Sequence, residues 1–278
     1  LLTGLREHSD ASAFIGGLAS IRHPAAGLAD FQLANSQTSF VADINRRFAE
    51  VCRSHPDAFL IDFESALNDI GRDAWSDKRM AAMARAPFSS EGQIALARRI
   101  VRSLRAMAAP PIKCLALDLD NTLWGGIVGE LGLGGIHLGH DFPSNLFLAF
   151  QKYLLALKDR GILLAVASKN NESDAMEVFD RHPECPLKRS DFAAWRIGWD
   201  NKSDSLREIA DELGIGPDAI AFFDDNPAER EAIRQLAPEV TVIDAPANAM
   251  NFIEAIEESG CFDRNSISDD DLHRADRY

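Results

Sequence analysis

Cysteine is scarce and scattered in this chain. Cys52, Cys114, Cys185 and Cys261 stand alone, with no C-x-x-C pair and no His-x-x-x-His partner. That rules against a zinc finger, makes a disulfide scaffold a poor fit for 278 residues, and points to a reducing, cytoplasmic setting. Long apolar runs are missing too: none approaches the roughly 20 residues that span a bilayer, so no membrane partner is expected. Positive charge is in short supply. Against 43 Asp and Glu stand 29 Lys and Arg, and the formal net charge of −14 has the wrong sign for a nucleic-acid partner. Solubility is the ordinary use of such an acidic surface. The chain opens LLTGL, without methionine, which leaves room for a missing start or a removed signal. What remains is an ordinary globular composition, 46% hydrophobic and 26% charged, long enough for two domains or one large one.

Residues 1–110 read as mixed and mostly helical. In SQTSFVADINRRFAEVCRSHP the apolar Phe40, Ile44, Phe48 and Val51 recur at a helical period, and Pro56 stops the run. AFLIDF (58–63) reads as a short buried strand. The segment PFSSEGQIALARRIVRSLRAMAAPP reads as a helix with Ser90 and Gln93 at capping-box spacing and with Ile94, Ala97, Ile100, Val101 and Leu104 on one face. Pro110 and Pro111 mark a domain boundary.

From Lys113 strands and helices alternate. CLALDLD, ILLAVASKN, AIAFFDDN and VTVID read as four strands. Between them lie a helix capped by Ser144 and closed by Gly161, a helix from Glu172 to Arg181, and those of SDSLREIADELG and NPAEREAIRQLA. Near-continuous apolar strands separated by amphipathic helices specify a parallel sheet with helices on both faces over residues 111–262. Residues 263–278 read as a polar tail.

In such a sheet, ligands sit beyond the C-terminal ends of the strands. The first strand ends in Asp118 and Asp120, the second in Ser168 and Lys169, and the third in Asp224 and Asp225. Carboxylates gathered at one edge repel unless something neutralises them. Mg²⁺, which prefers a few carboxylates together with waters and phosphate oxygens, would do so. Alone, each residue has a plainer reading: a strand-end Asp is commonly a cap, Asp-Asp-Asn-Pro a turn, and Lys202 a solvated lysine.

Taken together, DLDNT, Ser168 after an apolar strand, Lys202 and FFDDNPAER resemble the four-motif set of the haloacid dehalogenase (HAD) superfamily. The longer stretches DLDNTLWGG, ASKNNE, RSDFAAWRIGWDNKSDSL and FFDDNPAERE resemble the FkbH-like glyceryl transferase/phosphatase family of polyketide pathways, over roughly residues 60–262. The resemblance implies a HAD-like Rossmannoid sheet, preceded by a partial SGNH-hydrolase-like α/β region that acts as scaffold or lid. It also implies a reaction. A phosphate is removed from 1,3-bisphosphoglycerate, and a glyceryl unit is loaded on the phosphopantetheine thiol of an acyl carrier protein.

By the same resemblance Asp118 is the nucleophile that becomes an aspartyl-phosphate, and Asp120 is the general acid and then base. Ser168 and Lys202 hold phosphoryl oxygens. Asp118, the backbone carbonyl of Asp120, and Asp224 or Asp225 hold Mg²⁺. Asn121, Thr122, Lys169 and Asn170 are expected on the substrate, Asn121 and Thr122 also shaping the turn. Gly125–Pro143 and Asn170–Lys202 are too short for an inserted cap domain, and GGIVGELGLGGIHLG (125–139) reads as a flexible flap. The family often carries a cysteine just before the motif-two serine; here that residue is Ala167, which puts acyl transfer in question. No GDS serine motif occurs in residues 1–110, and PFSSEG replaces the usual Asp-x-x-His, so no esterase is expected. A basic patch of Arg181, Lys188, Arg189 and Arg196 is expected to offset the repulsion of an acidic carrier. Two other functions stay open: a plain phosphatase on a small phosphate ester or phosphoprotein, and a silent docking domain of a synthase.

Overall fold

The computed structural model describes residues 2–266, and the chain divides into two compact units, Leu1–Ala108 and Ala109–Tyr278. The polar tail expected over 263–278 falls, from residue 267 onward, outside the described residues.

In the first unit α1 (Leu2–Arg6) and β1 (Ala13–Gly16) precede α2 (Gln37–Arg53), β2 (Ala58–Ile61), α3 (Phe63–Ile70), α4 (Arg72–Trp75), α5 (Lys78–Ala84) and α6 (Ser90–Ala108). Ser36 caps α2 by accepting a hydrogen bond from the Ser39 backbone N–H. Strand β2 lies in the apolar run expected to form one; β1, which pairs with it in parallel, is too short for periodicity to announce.

Helix α6 differs from expectation in two ways. Its cap is Ser89, whose Oγ accepts from Gly92 N–H, while the Gln93 side chain turns to the Phe88 carbonyl. Its buried line is Gly92, Ala95 and Leu96, leaving Ile94 54% and Leu104 45% exposed. Gly92 explains the rotation: a Cβ there would lie 2.5 Å from the Trp75 carbonyl oxygen, so only the small-residue face can approach that closely.

The second unit runs β3 (Cys114–Leu117), α7 (Val128–Leu131), α8 (Ser144–Asp159), β4 (Leu163–Ser168), α9 (Glu172–Arg181), β5 (Phe192–Ile197), α10 (Lys202–Glu212), β6 (Ile220–Asp224), α11 (Pro227–Leu236), β7 (Thr241–Asp244) and α12 (Phe252–Ser259). The five strands pair in parallel in the order β5-β4-β3-β6-β7. Every residue of β3, β4 and β6 is buried, as strands covered on both faces must be. Alternation then divides the core. Leu115, Leu117, Val166 and Phe223 face α8, α9 and α12, where the Phe223 ring meets Phe252 edge-on at 5.2 Å. Cys114, Ala116, Ala165 and Ala167 face α10 and α11. Ala167 therefore belongs to the small-residue face of the sheet, in the same core cluster as Leu206 and Ile209.

Three local expectations are corrected here. Strand β5 is a fifth strand where four were expected; as an edge strand it buries only Phe192 and Ala194, so its pattern is weak. Ser144 is the first residue of α8, and Pro143 precedes it without a side-chain cap. Residues 125–139 are not a loose flap. Gly125 and His137 exchange two backbone hydrogen bonds, of 3.1 and 2.8 Å, and Val128, Ile136 and Leu138 are buried in the core. No domain is inserted after β3 or β4 among the described residues.

Candidate active site

The central strand ends by handing its last ladder bond, from Asp118 N–H to the Phe223 carbonyl, to the neighbouring β6. That pairing sets Asp118 beside Asp224, the last residue of β6. The loop from β5 brings in Lys202 as the first residue of α10. Its ammonium donates to Asp118 Oδ1 at 2.7 Å and to Asp224 Oδ2 at 2.6 Å. All three are buried, Asp224 completely.

Burying one cation with two anions is tolerable only because the pairs are short and the spare lone pairs are used. Asp224 Oδ1 accepts from Asn226 N–H at 2.8 Å, and Arg230 Nη1 donates to the backbone carbonyls of Asp224 and Asp225 at 2.7 and 2.8 Å. Burial, with the nearby charge of Asp118, pushes the Asp224 carboxyl up to about 6 despite Lys202. The same causes raise Asp225. Burial alone would lower the Lys202 ammonium, but Asp118 and Asp224 outweigh it and hold it above the ordinary lysine value.

Asp118, Asp224 and Asp225 each offer an oxygen within 4.8 Å of the others, a hard donor set that suits a divalent cation. Beside them, the Ser168 Oγ is buried at the end of β4 and has no hydrogen-bond partner. A buried orphan hydroxyl needs a reason, and a tetrahedral oxyanion supplies one.

No protein-family model matches the chain, and comparison with curated proteins finds no match. Among solved structures, the chain is similar to the N-terminal part of the protein BF1531 from Bacteroides fragilis, which contains a phosphatase domain and was crystallised with Mg. The two share 32% identity with a TM-score of 0.83, over 95% of this chain and 72% of that one. The chain belongs to the same family, that of HAD-like phosphatases. A weaker similarity is to an uncharacterised protein from Corynebacterium glutamicum, at 11% identity and a TM-score of 0.37 over 54% of this chain and 95% of that one.

In this HAD-like phosphatase the converging residues are Asp118, Lys202, Asp224 and Asp225, with Ser168 at the end of the next strand. Asp120 lies outside the three-carboxylate group, so its side chain is not a metal ligand in this arrangement. Its Oδ1 accepts from Trp124 Nε1 (2.8 Å) and Val128 N–H (3.1 Å), and its Oδ2 from Asn170 Nδ2 (2.9 Å). Burial raises its carboxyl, against the pull of those donors.

The four residues expected on the substrate are otherwise engaged. Asn121, at φ 57°, uses its Oδ1 to accept from Gly126 N–H and so shapes the turn. Thr122 Oγ1 meets Asp225, donating to its carboxylate at 3.4 Å and accepting from its N–H at 3.3 Å, which ties the first motif to the fourth. Lys169 is paired to Glu229 at 2.8 Å, and Asn170 serves Asp120.

Three of the four residues of the expected basic patch are paired with carboxylates. Arg181 pairs with Glu177, Arg189 with Asp180, and Arg196 with Glu208 and Glu212, while Lys188 donates to the Cys185 carbonyl. Sequence reasoning missed Trp124 and Arg230. Arg230 was within reach, because it is the fourth residue of α11, one turn into the helix that follows Asp224 and Asp225. For Trp124, nothing in the sequence distinguished a polar job from an ordinary core aromatic.

Proposed function

We propose that this chain is a Mg²⁺-dependent phosphatase that works through an aspartyl-phosphate on Asp118. The observation that carries the proposal is the buried Lys202 bridging Asp118 and Asp224 beside an unpartnered Ser168 hydroxyl. Mg²⁺ fits the oxygen donors of Asp118, Asp224 and Asp225, and when bound it would draw negative charge from the phosphoryl oxygens.

The residues divide the work. An Asp118 carboxylate oxygen forms a bond to phosphorus as the bond to the leaving oxygen breaks. Asp120 gives that oxygen a proton and later takes one from the water that attacks the aspartyl-phosphate. Lys202 and the Ser168 hydroxyl hold the transferring oxygens. Replacing Asp118 with Asn should abolish phosphate release from p-nitrophenyl phosphate; turnover above background would refute the nucleophile assignment.

The finer reading is the FkbH-like one, supported by the motif resemblance and by the absence of an inserted domain over this edge among the described residues. Its substrate is 1,3-bisphosphoglycerate, and its acceptor is the phosphopantetheine thiol of an acyl carrier protein. Neither buried cysteine of the second unit suits an acyl relay. Cys114 is fully buried with its thiol pushed far up, and burial pushes Cys185 up to about 11. In this reading the carrier's own sulfur attacks the C1 acyl carbon, the acyl carbon–oxygen bond breaks and the C1 phosphate leaves with the thiol proton, while the C3 phosphate ester is hydrolysed through Asp118, so that a glyceryl unit remains on the carrier. Incubation with both substrates and Mg²⁺, followed by intact-protein mass spectrometry, tests it. A glyceryl mass on the carrier supports the transferase, and phosphate release without that mass leaves only the phosphatase.

A further inference from the structure

Asp120 is held unusually fully for a group that must exchange a proton. A carboxylate has about four lone-pair positions, and three are occupied: two on Oδ1 by Trp124 Nε1 and Val128 N–H, one on Oδ2 by Asn170 Nδ2. Each donor is itself fixed. Trp124 is wholly buried, with its ring edge-on to Phe179 at 5.7 Å. Asn170 is buried at the end of β4, its own oxygen engaged by Asn171 N–H. Val128 opens α7 inside the loop closed at Gly125 and His137.

We infer that Trp124 and Asn170 are positioning residues that leave Asp120 one free acceptor position, on Oδ2, through which the proton passes to and from the substrate. The inference rests on the acid/base reading of Asp120. In the first half-reaction, the phosphorus–leaving-oxygen bond breaks as Asp118 bonds to phosphorus, and that oxygen takes the proton from Oδ2. In the second, Oδ2 receives a proton from water as the water oxygen bonds to phosphorus and the bond to Asp118 breaks. Oδ1 takes no part, because both its positions point at donors. Neither Trp124 nor Asn170 touches the phosphoryl group in this scheme. Their loss should therefore appear in proton delivery rather than in phosphate binding.

Leaving-group chemistry separates those two effects. A nitrophenolate departs without a proton, whereas an alkoxide needs one. Trp124→Phe, which keeps a ring but removes the N–H, and Asn170→Ala are each assayed on p-nitrophenyl phosphate and on glycerol phosphate, with Asp120→Asn as reference. The expected result is a fall in kcat/KM on glycerol phosphate about tenfold larger than the fall on p-nitrophenyl phosphate, with a steeper difference for Asp120→Asn. Equal losses on the two substrates in Asn170→Ala, with Asp120→Asn still discriminating, would overturn the positioning role and leave the acid in place. Equal losses in Asp120→Asn would remove the acid reading and the inference together. If Trp124→Phe does not fold, Asn170→Ala alone decides, since it trims a residue in the loop between β4 and α9.

Discussion

Lys202 bridges two carboxylates from neighbouring strand ends, and its removal would leave both buried without its countercharge. Breaking a buried pair in this way costs about 3 to 5 kcal/mol. Lys202→Met should therefore lower stability by that order at neutral pH, read by urea unfolding, and abolish turnover. An unchanged midpoint would mean that water already screens the pair. Asp224 supplies a second test. Its carboxyl titrates near 6 in the folded chain against 3.8 when unperturbed, so between those values the folded state holds a proton that the unfolded state has lost. Stability without metal therefore falls as pH rises through that window. Mg²⁺ competes with the same proton, so its affinity should climb from about pH 5 to about pH 7 and then level off. Calorimetric titration checks this, and an affinity flat across the window would count against Asp224 as a ligand. These acidic residues were legible in the sequence because strand-end carboxylates are conspicuous against an apolar run. Their polar neighbours were not. Thr122 meets Asp225 and Asn170 meets Asp120 in the folded chain, contacts between motifs that a one-letter pattern does not announce.

Among the elements, fully covered strands were easiest to read, and marginal ones were lost. β3, β4 and β6 are unbroken apolar runs, whereas edge strand β5 places Arg196 and Trp195 half in solvent. Helix α6 shows a different limit. Its most apolar stripe is exposed, because a glycine's close approach to Trp75 outweighed the hydrophobic pattern. The loop from Gly125 to His137 was misread through its glycines, which suggested mobility but serve close packing. Gly126 has φ 92°, and a Cβ there would fall 2.4 Å from Leu131 Cδ1. Gly126→Ala should cost about 1 to 3 kcal/mol and lower turnover of glycerol phosphate, since Val128 N–H in the same loop holds Asp120. Unfolding and kinetics on the one variant read both effects. Full stability with reduced turnover would show that the loop yields without unfolding.

On the scale of the whole chain, every residue assigned to the chemistry lies between Asp118 and Arg230, inside the second unit. Met107–Pro111 are exposed at the junction. Limited proteolysis should cut there first and release two fragments of about the sizes that the division predicts, as exposed connecting backbone usually does. The fragment from Ala109 onward should keep the phosphatase activity; a fragment that is folded but inactive would show that residues before the junction contribute to the reaction. The order of strands and helices in this unit was readable because each strand–helix repeat carries its own pattern. The first unit was harder, with two four-residue strands and three short helices between β2 and α6 offering little period to detect.

The closed neck of the 125–139 loop has a consequence for engineering. Gly125 and His137 stitch its base, while Gly132 and Gly134 at its tip have nothing within 4 Å of where a side chain would start. A foreign module spliced in at Gly134 would hang from a stem that is already sewn shut, and the donors to Asp120 would stay where they are. The chain thus offers a ready socket for a built-on selectivity filter, a place where the enzyme could be taught to refuse most of its substrates.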